Sequence, residues 1–226
     1  MADWVVGEEI TADKLNENRG FSSRARAYHS NTFAQYVPDN NLASEVTIIL
    51  DNEDFDGDTE FDNSVVSGQA DATEDFKLHD ADGGFTADMV GWSVYNRDDK
   101  TTALVTAFVD SGELTLSNTI MTSGEDYYLY SSAFTAKTAG YYMVTGSIQL
   151  KSPPVNTVLY LRLFKNGVRI STGSNTTQEA YAIINFSDIV YLAIGDYLDL
   201  RVACESSTIE INDGSEYTFL AIHRLS

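Results

Sequence analysis

Apolar and polar residues alternate along most of the chain beyond residue 130, which is the pattern of β-strands buried on one face. Between residues 141 and 150, Tyr142, Val144 and Ile148 fall on one side, and residues 158–164 place a leucine at every second position. Further strands with this pattern are predicted at 183–192, 197–202, 208–211 and 217–222. Because no helical pattern separates these strands, the sequence predicts an all-β fold, an antiparallel jelly-roll sandwich.

Turn residues between the strands predict how they connect. Asn166-Gly167 lies between two strand patterns and favours a two-residue hairpin, because both turn residues need a positive φ. Gly195-Asp196 separates another pair of strands. The Asn-Asp-Gly sequence at 212–214 predicts that the last two strands form a final hairpin.

The stretch from residue 64 to residue 130 has strand and turn patterns of its own. Strands are predicted at 90–95, 102–109, 113–116 and 127–130. The large apolar residues expected in its core are Phe76, Phe85, Trp92, Leu104, Phe108 and Leu116. These patterns predict a small β module.

The first 24 residues contain the one convincing helix signal. In residues 10–16, Thr11 is placed as an N-cap, and Ile10 and Leu15 are spaced to contact one another across the first turn. A helix this short is not stable alone, so we expect the segment to dock on a partner or, as the alternative, on its own domain. The apolar residues expected to anchor it are Trp4, Val5, Ile10 and Leu15.

Charge is distributed unevenly along the 226 residues. The 34 Asp and Glu residues exceed the 14 Lys and Arg residues to give a net charge of −20, which argues against a nucleic-acid partner. Residues 131–226 are nearly neutral, whereas residues 64–130 are strongly acidic. A neutral, aromatic block can associate with copies of itself without strong repulsion. The N-terminal sequence lacks signal-peptide features and the apolar runs are strand-sized, so we expect no export signal and no membrane insertion.

Residues 134–142, Phe-Thr-Ala-Lys-Thr-Ala-Gly-Tyr-Tyr, resemble the signature of the complement-type globular head. This domain belongs to the tumour-necrosis-factor-like jelly-roll superfamily. Residues 163–167, 192–196 and 217–222 resemble, in the same order, its hairpin, its Gly-Asp strand entry and its aromatic last strand. The resemblance implies a jelly-roll head.

The same resemblance implies a domain organisation. In the family, the loop after the first strand is short, whereas residues 64–130 intervene at that place here. We therefore expect residues 25–63 and 131–226 to form the jelly roll, with residues 64–130 as a β module inserted in a surface loop, where insertions cost little. One large sandwich without a separate insertion is the alternative.

Residues 7–16, Gly-Glu-Glu-Ile-Thr-Ala-Asp-Lys-Leu-Asn, resemble an opening found in fibre and appendage proteins of bacteriophages and archaeal viruses. Residues 85–130 are similar to small β modules of virus fibre and tail proteins. In those proteins the N-terminus anchors to the virion and the C-terminus faces the host. The resemblance implies a protein of the virion surface in which residues 1–24 bind other virion proteins.

Candidate metal and catalytic residues do not form a recognisable motif. Residues 52–63 resemble a calcium loop, but Asn63 occupies the position of the EF-hand glutamate. A solvated acidic loop is therefore predicted, with looser calcium binding as the alternative. The three histidines lie far apart, and the single Cys204 excludes an intrachain disulfide. We expect no resident cofactor or metal and no catalytic residue.

The neutral half has more aromatic residues than the interior of one sandwich needs. Members of the superfamily form trimers by packing such rings around a threefold axis. The rings expected at this contact are Tyr141, Tyr160, Phe164, Tyr197, Tyr217 and Phe219. Stacking on sugars is the alternative role. The residues of the inserted module expected to face a receptor are Asp82, Trp92, Tyr95 and Asp110.

The sequence thus predicts a homotrimeric fibre, spike or capsid-surface decoration. Its β domains are expected to contact host-surface glycan or protein by shape and hydrogen bonds, without catalysis. Two alternatives stay open at this stage. One is an architectural part such as a turret or collar without a receptor. The other is a glycan-degrading enzyme, against which the lack of a catalytic motif argues.

Overall fold

The computed structural model describes residues 23–38, 45–177, 181–205 and 208–225. These residues form nineteen strands in three antiparallel sheets, together with one 3₁₀ turn at Ala87–Met89. Among them there is no helix of the length and apolarity needed to cross a membrane. The helix predicted at 10–16 lies outside the described residues.

The strands are numbered in chain order. They are β1 Arg24–Tyr28, β2 Tyr36–Val37, β3 Val46–Thr47, β4 Asn52–Asp56, β5 Phe61–Asp62, β6 Val65–Gln69, β7 Lys77–His79, β8 Ser93–Asn96, β9 Thr102–Asp110, β10 Glu113–Leu116, β11 Asp126–Tyr130, β12 Ala133–Thr135, β13 Gly140–Lys151, β14 Val158–Lys165, β15 Val168–Thr176, β16 Tyr181–Leu192, β17 Tyr197–Cys204, β18 Ile209–Ile211 and β19 Phe219–Arg224.

Two of the sheets form a jelly roll. In the first sheet, β4, β1, β19, β13 and β16 lie side by side, with the short strands β18 and β2 added. In the second sheet, β12, β17, β14 and β15 are neighbours, with β5 and β3 added. Each sheet thus joins strands from distant parts of the chain in the order of a jelly roll. The predicted all-β jelly-roll fold is confirmed.

The core lies between these two sheets and follows the alternation in the sequence. Val144 and Ile148 of β13 and Leu161 and Leu163 of β14 have no exposed surface. Tyr142 is also buried and meets the ring of Phe134 edge-on, with 5.6 Å between ring centroids. Each such side chain contributes about 1.5–3 kcal/mol to the free energy of unfolding, so these two strands define which sides of the sheets face inward.

The hairpin between β14 and β15 forms as predicted. Asn166 and Gly167 have φ angles of 50° and 73°, which are the positive values that a type I′ turn requires. Residues with a side chain rarely adopt a positive φ, and glycine and asparagine are the residues that tolerate it best. This local prediction needed no knowledge of the rest of the fold.

The final hairpin predicted between 208–211 and 217–222 is wrong. β18 and β19 do not pair with each other; both pair with β13, where Leu150 faces Ile211 and Ser147 faces Phe219. The two strands lie end to end along one edge of β13, and the residues between them form a loop. A turn signal predicts a change in chain direction but not the partner of the next strand.

The third sheet consists only of residues from the stretch between 65 and 130. Its strand order is β6-β11-β8-β9-β10-β7. The strands on either side of the stretch, β5 and β12, pair with each other in the second sheet, where Phe61 faces Phe134. The chain therefore leaves and re-enters the jelly roll between two neighbouring strands, as expected for an insertion. The proposed domain boundaries stay a prediction.

The core of the third sheet differs from the predicted one. Phe85 and Leu116 are buried as expected and Trp92 packs against the same cluster. The other three predicted residues are exposed, to 52% for Phe76, 39% for Leu104 and 36% for Phe108. For Leu104 and Phe108 the physical reason is that β9 turns Ala103 and Val105 inward, since a shift of one residue exchanges the two faces of a strand; Phe76 lies in the turn before β7.

Candidate functional site

The two longest strands expose apolar side chains on the outer side of the first sheet. Tyr141 lies opposite Tyr191, with ring centroids 5.3 Å apart, and Met143 lies opposite Ile189. These four side chains are 44–61% exposed. We call the outward residues of both strands the β13–β16 face; they are Tyr141, Met143, Thr145, Ser147, Gln149 and Lys151 with Tyr181, Ile183, Asn185, Ser187, Ile189 and Tyr191.

The β13–β16 face contains no carboxylate, although the chain has 34 Asp and Glu residues. Its one charged residue, Lys151, binds Glu210 and Asp213 at 2.8 and 3.2 Å. A second copy can therefore approach this surface without meeting like charges. Unpartnered apolar surface that is free of acidic residues is unusual for a protein with a net charge of −20.

The six rings predicted at a trimer contact do not share one face. Tyr141 belongs to the β13–β16 face. Phe219 lies on the same side of the first sheet, under the guanidinium of Arg26 at 4.3 Å. Tyr217 lies in the loop before β19 and is 38% exposed. The first sheet thus carries one half of the predicted set.

The other half of the set lies on the outer side of the second sheet. Tyr160 is half-buried beside Arg162, and Tyr197 is 38% exposed. Phe164 is only 6% exposed, because the guanidinium of Arg201 lies 4.0 Å from its ring centre. The expectation that Phe164 contacts a sister copy is therefore corrected: the cation of its own chain already covers this ring.

A cleft separates the third sheet from the outer side of the second sheet. It consists of two adjoining hollows of about 170 and 190 Å³. Both hollows are lined by Leu104 of β9 and Arg201 of β17. Trp92 and Tyr197 line one end of the cleft, and Glu45 lines the other. We call this feature the inter-sheet cleft.

Each charged residue that lines the inter-sheet cleft has a partner of opposite charge. The Asp199 carboxylate accepts hydrogen bonds from Nε and Nη2 of Arg201 at 2.5 and 3.1 Å. Burial raises the pKa of Asp199, and the Arg201 guanidinium opposes that shift. Glu45 at the other end binds Nη1 of Arg162 at 2.5 Å. The charges cancel in pairs, so the cleft is polar without a net charge.

Buried tyrosines hold the third sheet against the jelly roll. Tyr95, Tyr128 and Tyr130 pack around Ile49, with the ring of Tyr128 stacked on that of Tyr95 at 6.3 Å. The Tyr130 hydroxyl donates to the Thr47 carbonyl at 2.7 Å. Burial raises the pKa of the Tyr95 and Tyr130 phenols, so both are neutral at physiological pH. This contact fixes the position of the cleft walls.

Tyr95 does not face a receptor, which corrects that prediction. It has no exposed surface, and its hydroxyl accepts a hydrogen bond from the Tyr36 backbone N–H at 3.0 Å. Among the other three predicted residues, Asp82 is exposed in a turn, Asp110 is exposed at the end of β9, and Trp92 lines the inter-sheet cleft. The alternation pattern placed Tyr95 on a strand but gave no sign that both faces of that strand are covered.

Residues 52–63 do not form the predicted acidic loop: Asn52–Asp56 and Phe61–Asp62 are the strands β4 and β5, and residues 57–60 connect them. The two carboxylate oxygens of Asp56 accept hydrogen bonds from the N–H groups of Glu60 and Phe61 at 3.0 and 2.9 Å. Within the ranges that the structure describes, no three His, Cys, Asp or Glu side chains are grouped to hold a metal ion. Calcium binding by residues 52–63 stays a prediction. The predicted anchor residues Trp4, Val5, Ile10 and Leu15 lie outside the described residues.

Comparisons with known proteins return no matching family model and no matching curated protein. Among solved structures, Eiger TNF from S. frugiperda is similar over 91% of this chain and 93% of its own, with 12% identity and a TM-score of 0.37. Murine APRIL covers 59% of this chain and 97% of its own (11% identity, TM-score 0.35), and rabbit GITRL covers 42% and 74% (20% identity, TM-score 0.32). TM-scores this low do not identify a family. The jelly-roll fold is assigned from the strand order of the first two sheets.

Proposed function

We propose that the protein is a homotrimeric structural component of a virion surface that adheres to the host. Its jelly rolls pack together through the β13–β16 face, and the third sheet and the inter-sheet cleft remain accessible. The observation that carries the proposal is the exposed apolar face without carboxylates. A fibre, spike or capsid decoration is the form that fits these features.

The exposed apolar patch on the β13–β16 face supports the proposed trimer. Tyr141, Met143, Ile189 and Tyr191 form a contiguous apolar patch, because they face each other in neighbouring register positions. Such a patch stabilises an assembly when it is buried, at about 25 cal/mol for each Å² removed from water. Copies of the chain related by a threefold axis bury the patch in a closed ring. Three copies also keep the acidic remainder of each chain on the outside.

The virion role is supported by the resemblance of residues 7–16 to the openings of virus fibre and appendage proteins. An assembly that must withstand conditions outside a cell also fits a fold made only of packed sheets. In the proposal, residues 1–24 bind other virion proteins and the head binds a host-surface glycan or protein.

Deletion of residues 1–24 tests this assignment. We expect the shortened chain to retain the mass of a trimer but to be absent from purified particles, as measured by immunogold labelling against the full-length chain. Failure of the full-length chain to appear on particles would contradict the virion role. Loss of the trimer on deletion would place the subunit contact in the N-terminal segment instead.

Adhesion is tested separately by competition. Purified full-length protein should reduce attachment of intact particles to host cells in a dose-dependent manner, because it occupies the same host receptors. Particles that lack the protein but attach normally would instead favour the purely architectural role.

A further inference from the structure

We propose that the inter-sheet cleft is a binding site for a neutral saccharide. This inference rests on the proposed adhesive function and names its site and its class of ligand. Three properties of the cleft carry it: an aromatic end, hydroxyl groups fixed by the backbone, and charges that cancel within the walls.

The aromatic end offers two rings, of which Trp92 is held in place by its packing. Trp92 is half-buried and packs on the core of the third sheet, while Tyr197 of β17 lines the opposite wall. Rings pinned at their base lose little conformational freedom when a ligand binds. The apolar C–H face of a pyranose is flat enough to pack on such rings, whereas its hydroxyls need polar partners around them.

Serine hydroxyls provide these polar partners. Ser132 Oγ accepts a hydrogen bond from the Leu50 backbone N–H at 2.9 Å, and Ser117 Oγ accepts one from the Leu104 N–H at 3.0 Å. In each case the backbone occupies an acceptor position of the hydroxyl, so its hydrogen can donate to a ligand. Both serines line the cleft, one in each hollow.

Arg201 adds donors at the centre of the cleft. Asp199 takes two of its N–H groups, and a guanidinium has five. The remaining donors suit the ring and hydroxyl oxygens of a sugar. Because Asp199 neutralises the guanidinium and the chain has a net charge of −20, the site does not favour a sialylated or sulfated glycan.

The test uses the full-length protein on a glycan array that carries neutral and acidic oligosaccharides, followed by calorimetry with each glycan bound. We expect binding to neutral glycans, and a loss of roughly tenfold in affinity for Trp92→Ala and for Tyr197→Ala. Phe76→Ala, which removes an exposed ring of the third sheet outside the cleft, should bind like the wild type.

Leu104→Trp provides a second test and should block glycan binding. Leu104 is partly exposed, so a larger ring there fills the cleft without removing a core residue. Binding exclusively to acidic glycans, no binding to any glycan, or wild-type affinity in both alanine variants would overturn the inference. If the trimer and its location on particles are confirmed in the same preparations, such a result refutes the saccharide site alone and leaves the proposed structural role standing.

Discussion

Gly146 of β13 lies opposite Phe186 of β16, and the phenyl ring covers the glycine. A Cβ atom at position 146 would lie 2.2 Å from Cε1 of that ring. Because Phe186 belongs to the closely packed core, it cannot move aside freely. We predict that Gly146→Ala lowers the free energy of unfolding by about 1–3 kcal/mol, measured by urea denaturation at a fixed protein concentration. Ser187→Ala, at the adjacent outward position, is the control and should have little effect; equal stability of both variants would contradict the close contact.

His29 gives the protein a pH-dependent stability. Its ring is 1% exposed, with Nδ1 at 2.8 Å from the Ile49 carbonyl and 3.9 Å from Asp51. Burial lowers the pKa of His29 from 6.5, although the Asp51 charge opposes the shift. The folded protein therefore holds this proton less tightly than the unfolded chain does, so stability is full above pH 6.5 and decreases as the pH falls below that value.

The corresponding experiment compares urea denaturation of the wild type and of His29→Gln at about pH 7.5 and about pH 5.5. The wild type should lose more of its free energy of unfolding on acidification than the variant, whose other ionisable groups are the same. Equal losses in the two proteins would show that His29 does not titrate on unfolding.

At the scale of elements, Thr218 holds the loop between β18 and β19. It has no exposed surface, and its hydroxyl donates to the Asn212 carbonyl at 2.7 Å and accepts from the Gln149 N–H at 3.3 Å. Thr218→Val keeps the shape but leaves two buried backbone groups without this partner. We expect a loss of about 1–3 kcal/mol in the free energy of unfolding, with Thr145→Val on the outer side as the control. An unchanged unfolding midpoint would contradict this role of the hydroxyl.

Elements with strict alternation could be predicted from the sequence, and elements set by their neighbours could not. The inward faces of β13 and β14 follow from the pattern, as does the Asn166-Gly167 turn, because their causes are local. In β9, Leu104 and Phe108 were expected inside but lie outside, since burial of a strand face depends on which sheet covers it. The pairing of β18 and β19 with β13 is likewise a long-range choice.

At the scale of the whole molecule, the third sheet should be separable from the jelly roll. The paired Phe61 and Phe134 keep the ends of the insertion together in the second sheet. We predict that replacing residues 64–130 by a short glycine-serine linker leaves a trimer of lower stability, because Ile49 loses its cover of tyrosines. Size-exclusion chromatography with light scattering measures this. An unfolded product would show that the jelly roll depends on the third sheet to fold, and a folded monomer would show that the third sheet contributes to the subunit contact.

Only part of the candidate site could be predicted from the sequence. Trp92 was identified by its chemistry, whereas Leu104 and Arg201 become neighbours only because an insertion folds back on the second sheet. The neutral charge of residues 131–226 indicated which half associates with itself, but not which strands do so. That assignment required the register that places Met143 opposite Ile189.

The central claim, that sister copies cover the β13–β16 face, is tested most directly by measuring mass in solution for the wild type and for Ile189→Glu. The variant places a carboxylate in the middle of the apolar patch, whereas Ile194→Glu places one on a residue that is 72% exposed beyond the end of β16 and serves as the control. We predict three times the chain mass of 24.9 kDa for the wild type and the control, and a monomer for Ile189→Glu. A wild-type protein of 24.9 kDa, or an Ile189→Glu variant that remains trimeric, would contradict the account.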